Sequence, residues 1–172
     1  MSKKSQATAD QGRQARKRTP TFLLELPLQI DEGQAARLRA HLEAGRQFYN
    51  AVLSEGQKRL RRMRADPAWQ AARAIPRSHK QERTDAFLRL REQYGFSEYA
   101  LHEAGKRLRT SWLTEHVDAV LAQTLASRAY QALNRVCLGK ARRVRFRSRG
   151  RGLSCIENKR NDVSNFQEVV GV

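Results

Sequence analysis

The chain is poor in the features that mark secreted, metal-stapled and membrane-spanning proteins. It has only two cysteines and four prolines in 172 residues. No apolar run approaches the roughly 20 residues that a membrane-spanning helix needs. The N-terminus lacks the apolar core of a signal peptide, so we expect a cytoplasmic protein. We expect no membrane partner, although a basic amphipathic helix lying on an anionic membrane surface is an alternative.

Residues that could assemble a catalytic or cofactor site are also scarce. Cys137 and Cys155 lack the two-residue spacing of a zinc site and are interpreted as buried or incidental thiols. Gly150 and Gly152 precede no Lys-Ser/Thr pair, so they indicate a turn rather than a phosphate loop. The four histidines are scattered singly, at positions 41, 79, 102 and 116. We therefore predict that the chain is not an enzyme and has no metal, no cofactor and no small-molecule substrate.

Acidic residues are outnumbered two to one by basic residues. The sequence has 34 Lys and Arg against 17 Asp and Glu, which leaves a formal charge of +17. Such an excess favours an anionic partner, and nucleic acid is the usual one, because each neutralised phosphate releases condensed counterions. The plainer interpretation is a soluble basic surface without a specific partner.

The N-terminal third contains a basic arm, a short strand and one long helix. Residues 1–19 are rich in Lys, Arg, Ser and Gln, and they predict a disordered basic arm. Apolar residues alternate from Phe22 to Leu28, which predicts a strand within residues 20–30. Asp31 and Gln34 form a helix-start signal, and apolar residues then recur every three or four positions as far as Met63. Basic residues crowd the last turns of this helix before Pro67 ends it.

The centre of the chain, up to Gly139, predicts further helices. After a connector with one or two helical turns, a second helix is expected from Ser78 to Gly95. A third is expected from Ser97 through Trp112, and a fourth from about Thr114 to Gly139. Together with the first helix they predict a helical bundle over residues 31–139.

Residues 140–151 form the C-terminal basic segment, which holds seven basic residues and no acid. Val144 and Phe146 alternate with arginines, which predicts a strand with one face on a core and guanidinium groups on the other. A disordered arginine-rich tail is the alternative.

The order of these features resembles the N-terminal part of the transposon-encoded TnpB proteins and the related compact type V CRISPR effectors. In that family an aromatic-Tyr-Asn motif lies on the first long helix, as Phe48-Tyr49-Asn50 does here. A Pro-Arg-Phe-Lys-like strand follows the helical insertion, and Val144 to Arg147 resemble it with Val for Pro and Arg for Lys. The later Leu153 to Lys159 resembles the strand and turn that come next.

The resemblance implies a mainly α fold with a minor β part, in which a helical bundle is inserted between strands of an incomplete β-barrel. Residues 20–30 and 140–161 would belong to a wedge-type barrel and residues 31–139 to a recognition lobe. In the family these parts hold a guide RNA and its heteroduplex with DNA by the backbone. The RuvC-like nuclease domain of the relatives, which are DNA endonucleases, has no counterpart here. Because residues 162–172 abandon the basic composition, we expect a truncated or frame-shifted remnant of a longer nuclease gene.

The predicted nucleic-acid-binding residues come from three places in the sequence. Tyr49 is predicted either to stack on a base or to lie in the core, and Asn50 either to contact nucleic acid or to cap a loop. The remaining residues are predicted to contact phosphates, and they are Lys58, Arg59, Arg61, Arg62, Arg64, Lys140, Arg142, Arg143, Arg145, Arg147, Arg149 and Arg151. The alternative function is a self-contained basic helical adaptor that binds RNA or an acidic protein. The sequence leaves the choice between RNA and DNA open.

Overall fold

The computed structural model describes Pro27 and residues 29–153, with the backbone alone for Arg151. Residues 1–30 form one unit, of which only Pro27, Gln29 and Ile30 are described, and residues 31–172 form the other. The predicted basic arm at 1–19, most of the predicted first strand and the tail at 162–172 lie outside the described residues. The account below concerns the second unit.

The first helix, α1, spans Glu32–Ala65 and runs for about 50 Å. The predicted start is confirmed as a capping box, in which the Asp31 carboxylate accepts from the Gln34 N–H at 2.7 Å and the Gln34 side chain accepts from the Asp31 N–H at 3.1 Å. Asp66 and Pro67 end the helix where the sequence predicts, because Asp66 also caps the next helix. One face of α1 is buried along most of its length, from Ala44 to Met63.

Five further helices follow in the described residues: α2 (Pro67–Ala74), α3 (Lys80–Gln93), α4 (Glu98–Leu108), α5 (Leu113–His116) and α6 (Ala119–Cys137). A single 3-10 turn at Arg149–Arg151 comes last. Gly95 and Gly139 have positive φ angles of 57° and 72°. At each site the N–H of the glycine and the N–H of the following residue donate to carbonyls of the last helical turns in the Schellman pattern, so the predicted helix ends at Gly95 and Gly139 are confirmed.

Two predicted helix boundaries are wrong. The third helix ends at Leu108 and does not reach Trp112, which lies in a turn beside Ser111 with its positive φ of 53°. The predicted fourth helix is broken into α5 and α6 at Val117, whose backbone is extended. The break follows from Asp118, whose carboxylate accepts from the Leu121 N–H at 2.7 Å and starts a new helix.

The core lies where α1, α4 and α6 pack on one another. Phe48, Leu53, Leu101, Leu125 and Leu133 are completely buried there. Small residues on the three helices allow the close approach of their backbones, as at Gly56, Ala104 and Ala126. None of the helices in the described residues combines the length and apolarity needed to span a membrane.

The mainly α-helical character is confirmed, whereas no strand is present in residues 29–153. The C-terminal basic segment, where a strand was predicted around Val144 to Arg147, is neither helix nor strand over residues 143–148. Val144 is half-buried against the core as expected, but the side chain of Phe146 is 51% exposed, so the two do not share a buried face. The reason is that both backbone groups of Arg147 bind a side chain of α1 rather than a second strand.

We expect Gly56→Ala to destabilise the fold by about 1–3 kcal/mol, since overpacking a filled core forces side chains to move. The added methyl group would overlap the Leu133 side chain and lie 3.1 Å from Leu101 Cδ1, and both leucines are fully buried. Urea denaturation followed by circular dichroism measures the loss. The double variant with Leu133→Val removes the overlapping methyl group, so it should be more stable than the sum of the two single effects by about 1 kcal/mol. Simple additivity would contradict this account of the contact.

Candidate nucleic-acid interface

The C-terminal basic segment is fastened to α1 at Arg147. The Asn50 side chain accepts from the Arg147 N–H and donates to the Arg147 carbonyl, both at 2.9 Å. Arg46, one helical turn earlier, donates to the same carbonyl at 2.9 Å. These bonds satisfy the backbone N–H and carbonyl of Arg147, which lies ten residues after the end of α6. They hold the segment against α1.

An acidic residue on the same face of α1, Glu43, holds Arg46 in position. Arg46 binds Glu43 with two hydrogen bonds, of 2.6 and 2.8 Å. Hydrogen bonds from Arg46 and then from Gln47 hold the pKa of Glu43 at about 2, well below its usual range. The pair is therefore ionised at neutral pH, and the ion pair positions Arg46 for its hydrogen bond to Arg147.

The segment and α1 together form a groove with four arginines at its rim, which we call the arginine groove. Arg61 and Arg64 come from α1, and Arg142 and Arg143 come from the C-terminal basic segment. The floor is apolar and is built by Leu60, Leu133, Val136 and Val144. The groove has a volume of about 270 Å³, and the described residues that line it include no acid. Two basic regions far apart in sequence are thus brought to one surface.

Most of the other predicted phosphate-contacting residues are exposed. None of them forms an ion pair with a carboxylate in residues 29–153. They are Lys58, Arg62, Lys140, Arg145, Arg147 and Arg149. The side chain of Arg151 lies outside the described residues. An exposed guanidinium or ammonium group without a carboxylate partner keeps its full charge for an anionic ligand.

Arg59, one of the predicted phosphate-contacting residues, uses its side chain within the fold. Its side chain binds Glu55 at 2.9 Å and donates to the carbonyls of Gly95 and Ala100 at 2.9 and 3.2 Å. It therefore ties α1 to the turn between α3 and α4. The Arg64 side chain also forms a hydrogen bond within the fold, because it donates to the Val136 carbonyl at the end of α6 at 2.7 Å.

Tyr49 and Asn50 have structural roles in this conformation. Tyr49 is only 9% exposed and belongs to the core, where burial raises the pKa of its hydroxyl. A base could not stack on this buried ring. Of the two roles predicted for Tyr49, the structure therefore shows the core role. Asn50 is occupied by the Arg147 backbone and caps this segment, which is the second of the two roles considered for it.

We expect Asn50→Leu to loosen the C-terminal basic segment without unfolding the helices. The variant loses both bonds to Arg147, and the local cost of about 1–2 kcal/mol should speed exchange of the Arg147 amide proton and tryptic cleavage after Arg145 and Arg147 by roughly tenfold. Gln47→Leu is the matched control, because within residues 29–153 the Gln47 side chain bonds to Glu43 and makes no bond to Arg147. Equal protection in both variants would show that Asn50 does not anchor the segment.

Sequence reasoning missed two groups of residues. Arg46 was overlooked, although its position one turn before Asn50 places both on one face of α1. Arg73, Arg83 and Arg91 were also missed, and they gather around Trp69 and Phe87 in a second cavity. No local signal marks them, because α2, α3 and α6 each contribute only part of that cavity.

Two of the histidines predicted to be isolated lie together. His41 Nδ1 is 3.0 Å from the His116 carbonyl oxygen, and the two rings meet edge to face at 4.8 Å. Trp112 packs on the other side of His116. No group of three or more potential metal ligands is found among the described residues. The pair is therefore part of the packing between α1 and α5.

The fold and the arginine groove define a mainly helical protein with a strongly basic surface. No family model matches the sequence, and neither a curated protein nor a solved structure matches it.

Proposed function

We propose that this protein binds nucleic acid by its phosphodiester backbone, through the arginine groove and the C-terminal basic segment. The observation that carries the proposal is the convergence of Arg61, Arg142 and Arg143 around a groove in which the described lining residues include no acid. Guanidinium groups suit phosphate oxygens because they offer several N–H donors in one plane. Side chains that read phosphates set position and affinity without reading sequence.

The preferred ligand in this proposal is RNA or an RNA–DNA heteroduplex, and it rests on the resemblance to the N-terminal part of TnpB proteins. In the same proposal, residues 20–30 and 140–161 belong to an incomplete wedge-type barrel, and residues 31–139 are a recognition lobe inserted in the sequence between its strands. The half-buried Val144 supports the part of this proposal in which one side of the basic segment packs on a core. The chain binds without cutting in this proposal.

The test is fluorescence anisotropy with labelled single-stranded RNA, duplex DNA and an RNA–DNA heteroduplex across a salt series. The logarithm of the affinity should fall linearly with the logarithm of the salt concentration, by about 0.9 for each phosphate neutralised on a duplex. The heteroduplex should bind most tightly. Divalent metal should leave the labelled strands uncut. A lack of binding at low salt overturns the proposal, and so does equal binding of polyglutamate, which would instead favour an adaptor for acidic proteins.

A further inference from the structure

A second cavity, larger than the arginine groove, opens where the end of α1 meets α2, α3 and the last turn of α6. We call it the aromatic cleft. Its volume is about 860 Å³, which lies within the range of small-molecule and cofactor sites. Four arginines line it, at positions 64, 73, 83 and 91, and the lining includes no acid among the described residues. Arg64 also lines the arginine groove, so the two cavities adjoin there.

Three of these arginines are held in place by neutral groups. Arg64 donates to the Val136 carbonyl at 2.7 Å, and its guanidinium carbon lies 6.0 Å from the centre of the Trp69 ring. Arg83 donates to the carbonyls of Ile75 and Arg73 at 2.6 and 3.1 Å, and it lies 5.7 Å from the centre of the Phe87 ring.

Arg91 donates to the Asn134 side chain at 3.0 Å, which fixes it on the α6 side of the cleft. Carbonyl oxygens and ring faces orient a guanidinium without cancelling its charge, and each guanidinium has five N–H donors. The cleft thus presents ordered positive charge, and no carboxylate of residues 29–153 forms an ion pair with these arginines.

The walls between the arginines are apolar and partly open to solvent. Phe87 is half-buried, and the side chains of Leu88 and Leu138 are 50% and 54% exposed at the rim. A ligand that fits must combine negative charge with a flat or apolar part. An unpaired nucleotide has both, since its phosphate is anionic and its base has two π-faces.

We propose that the aromatic cleft holds an unpaired nucleotide of the strand whose backbone lies in the arginine groove. The phosphate contacts Arg64 and Arg83, and the base lies against Phe87, Leu88 and Leu138. Continuity with the arginine groove at Arg64 favours a nucleic-acid strand over an acidic peptide. This inference rests on the proposed function, which supplies the strand.

The test compares an RNA–DNA heteroduplex with blunt ends and the same heteroduplex carrying a five-nucleotide unpaired RNA tail. Cys137 lines the cleft and reports on its occupancy, once Cys155→Ser has removed the other thiol. The tailed heteroduplex should slow the reaction of Cys137 with a maleimide and should bind about tenfold more tightly than the blunt one, since one stacked base contributes on this scale.

Leu88→Asp places a carboxylate among the arginines at an exposed position, so the fold should tolerate it. It should abolish the advantage of the tail and leave the blunt heteroduplex almost unaffected. Leu38→Asp is the matched control, because Leu38 is 41% exposed and lies in the second turn of α1, far from the cleft. This control should keep the advantage of the tail.

The outcomes separate the two proposals. If neither heteroduplex binds, the proposed function fails. If both bind equally and Cys137 reacts at the same rate with either, the proposed function stands and the cleft inference is wrong. Stronger protection of Cys137 by a glutamate-rich peptide than by the tailed heteroduplex would also overturn the inference, because the cleft would then be a peptide site.

Discussion

Replacing Arg61 and Arg143 together with glutamine should lower the affinity for an RNA–DNA heteroduplex by roughly tenfold or more at 100 mM salt and reduce the salt slope by about two. Both side chains are exposed on opposite rims of the arginine groove, and neither forms an ion pair with a described carboxylate. Because neither charge is used within the fold, removing both should weaken the contacts with bound phosphates and leave the fold intact. Anisotropy titrations at four or more salt concentrations give both quantities.

A protein with a charge of +17 binds any polyanion to some extent, so the control must remove the same charge elsewhere. Arg37 and Arg39 are exposed near the start of α1, about 30 Å along the helix from Arg61. Replacing both with glutamine should change the affinity by no more than about threefold, through the long-range field alone. Equal losses in the two double variants would mean that binding depends on net charge and not on the groove.

Arg59→Ala should lower the free energy of unfolding by about 2–3 kcal/mol and leave the nucleic-acid affinity of the folded protein unchanged. The side chain gives hydrogen bonds to Glu55 and to the carbonyls of Gly95 and Ala100, and its removal leaves two part-buried carbonyls without that donor. Lys58→Ala is the control. The exposed Lys58 has no such partners among the described residues, so its replacement should change stability by less than about 0.5 kcal/mol.

Urea denaturation gives the two free energies, and titrations at low urea give the affinities. The neighbouring residues Lys58 and Arg59 are then distinguished by two independent readouts. A stable Arg59→Ala variant with weakened binding would reverse the assignment and return Arg59 to the interface.

Signals that act within one helical turn were predicted correctly from the sequence. The Asp31 and Gln34 capping box works through groups three residues apart, and Gly95 and Gly139 end their helices by their own backbone conformation. The apolar stripe of α1 identified its buried face because helical periodicity alone places Phe48, Val52 and Leu60 on one side. The break at Asp118 was missed, although it is also local, because the apolar spacing continues across it.

The roles of individual polar residues depended on partners far away in the sequence. Asn50 and Arg147 are 97 residues apart, and the hydrogen bond between them favours the capping role over the nucleic-acid contact, the two roles predicted for Asn50. Arg59 reaches Gly95, 36 residues later, and this separates it from the exposed Lys58 beside it.

The sequence by itself determined that the protein is helical, strongly basic and equipped with two basic regions, because composition and short-range periodicity carry that information. Only the tertiary structure decided which arginines remain exposed and which form hydrogen bonds within the fold. Packing of α1 against α6 brings Arg61 and Arg64 beside Arg142 and Arg143, and the meeting of α2, α3 and α6 creates the aromatic cleft. The net charge follows from the residue types alone, whereas the arrangement of a binding site depends on the distances between residues that only the fold sets.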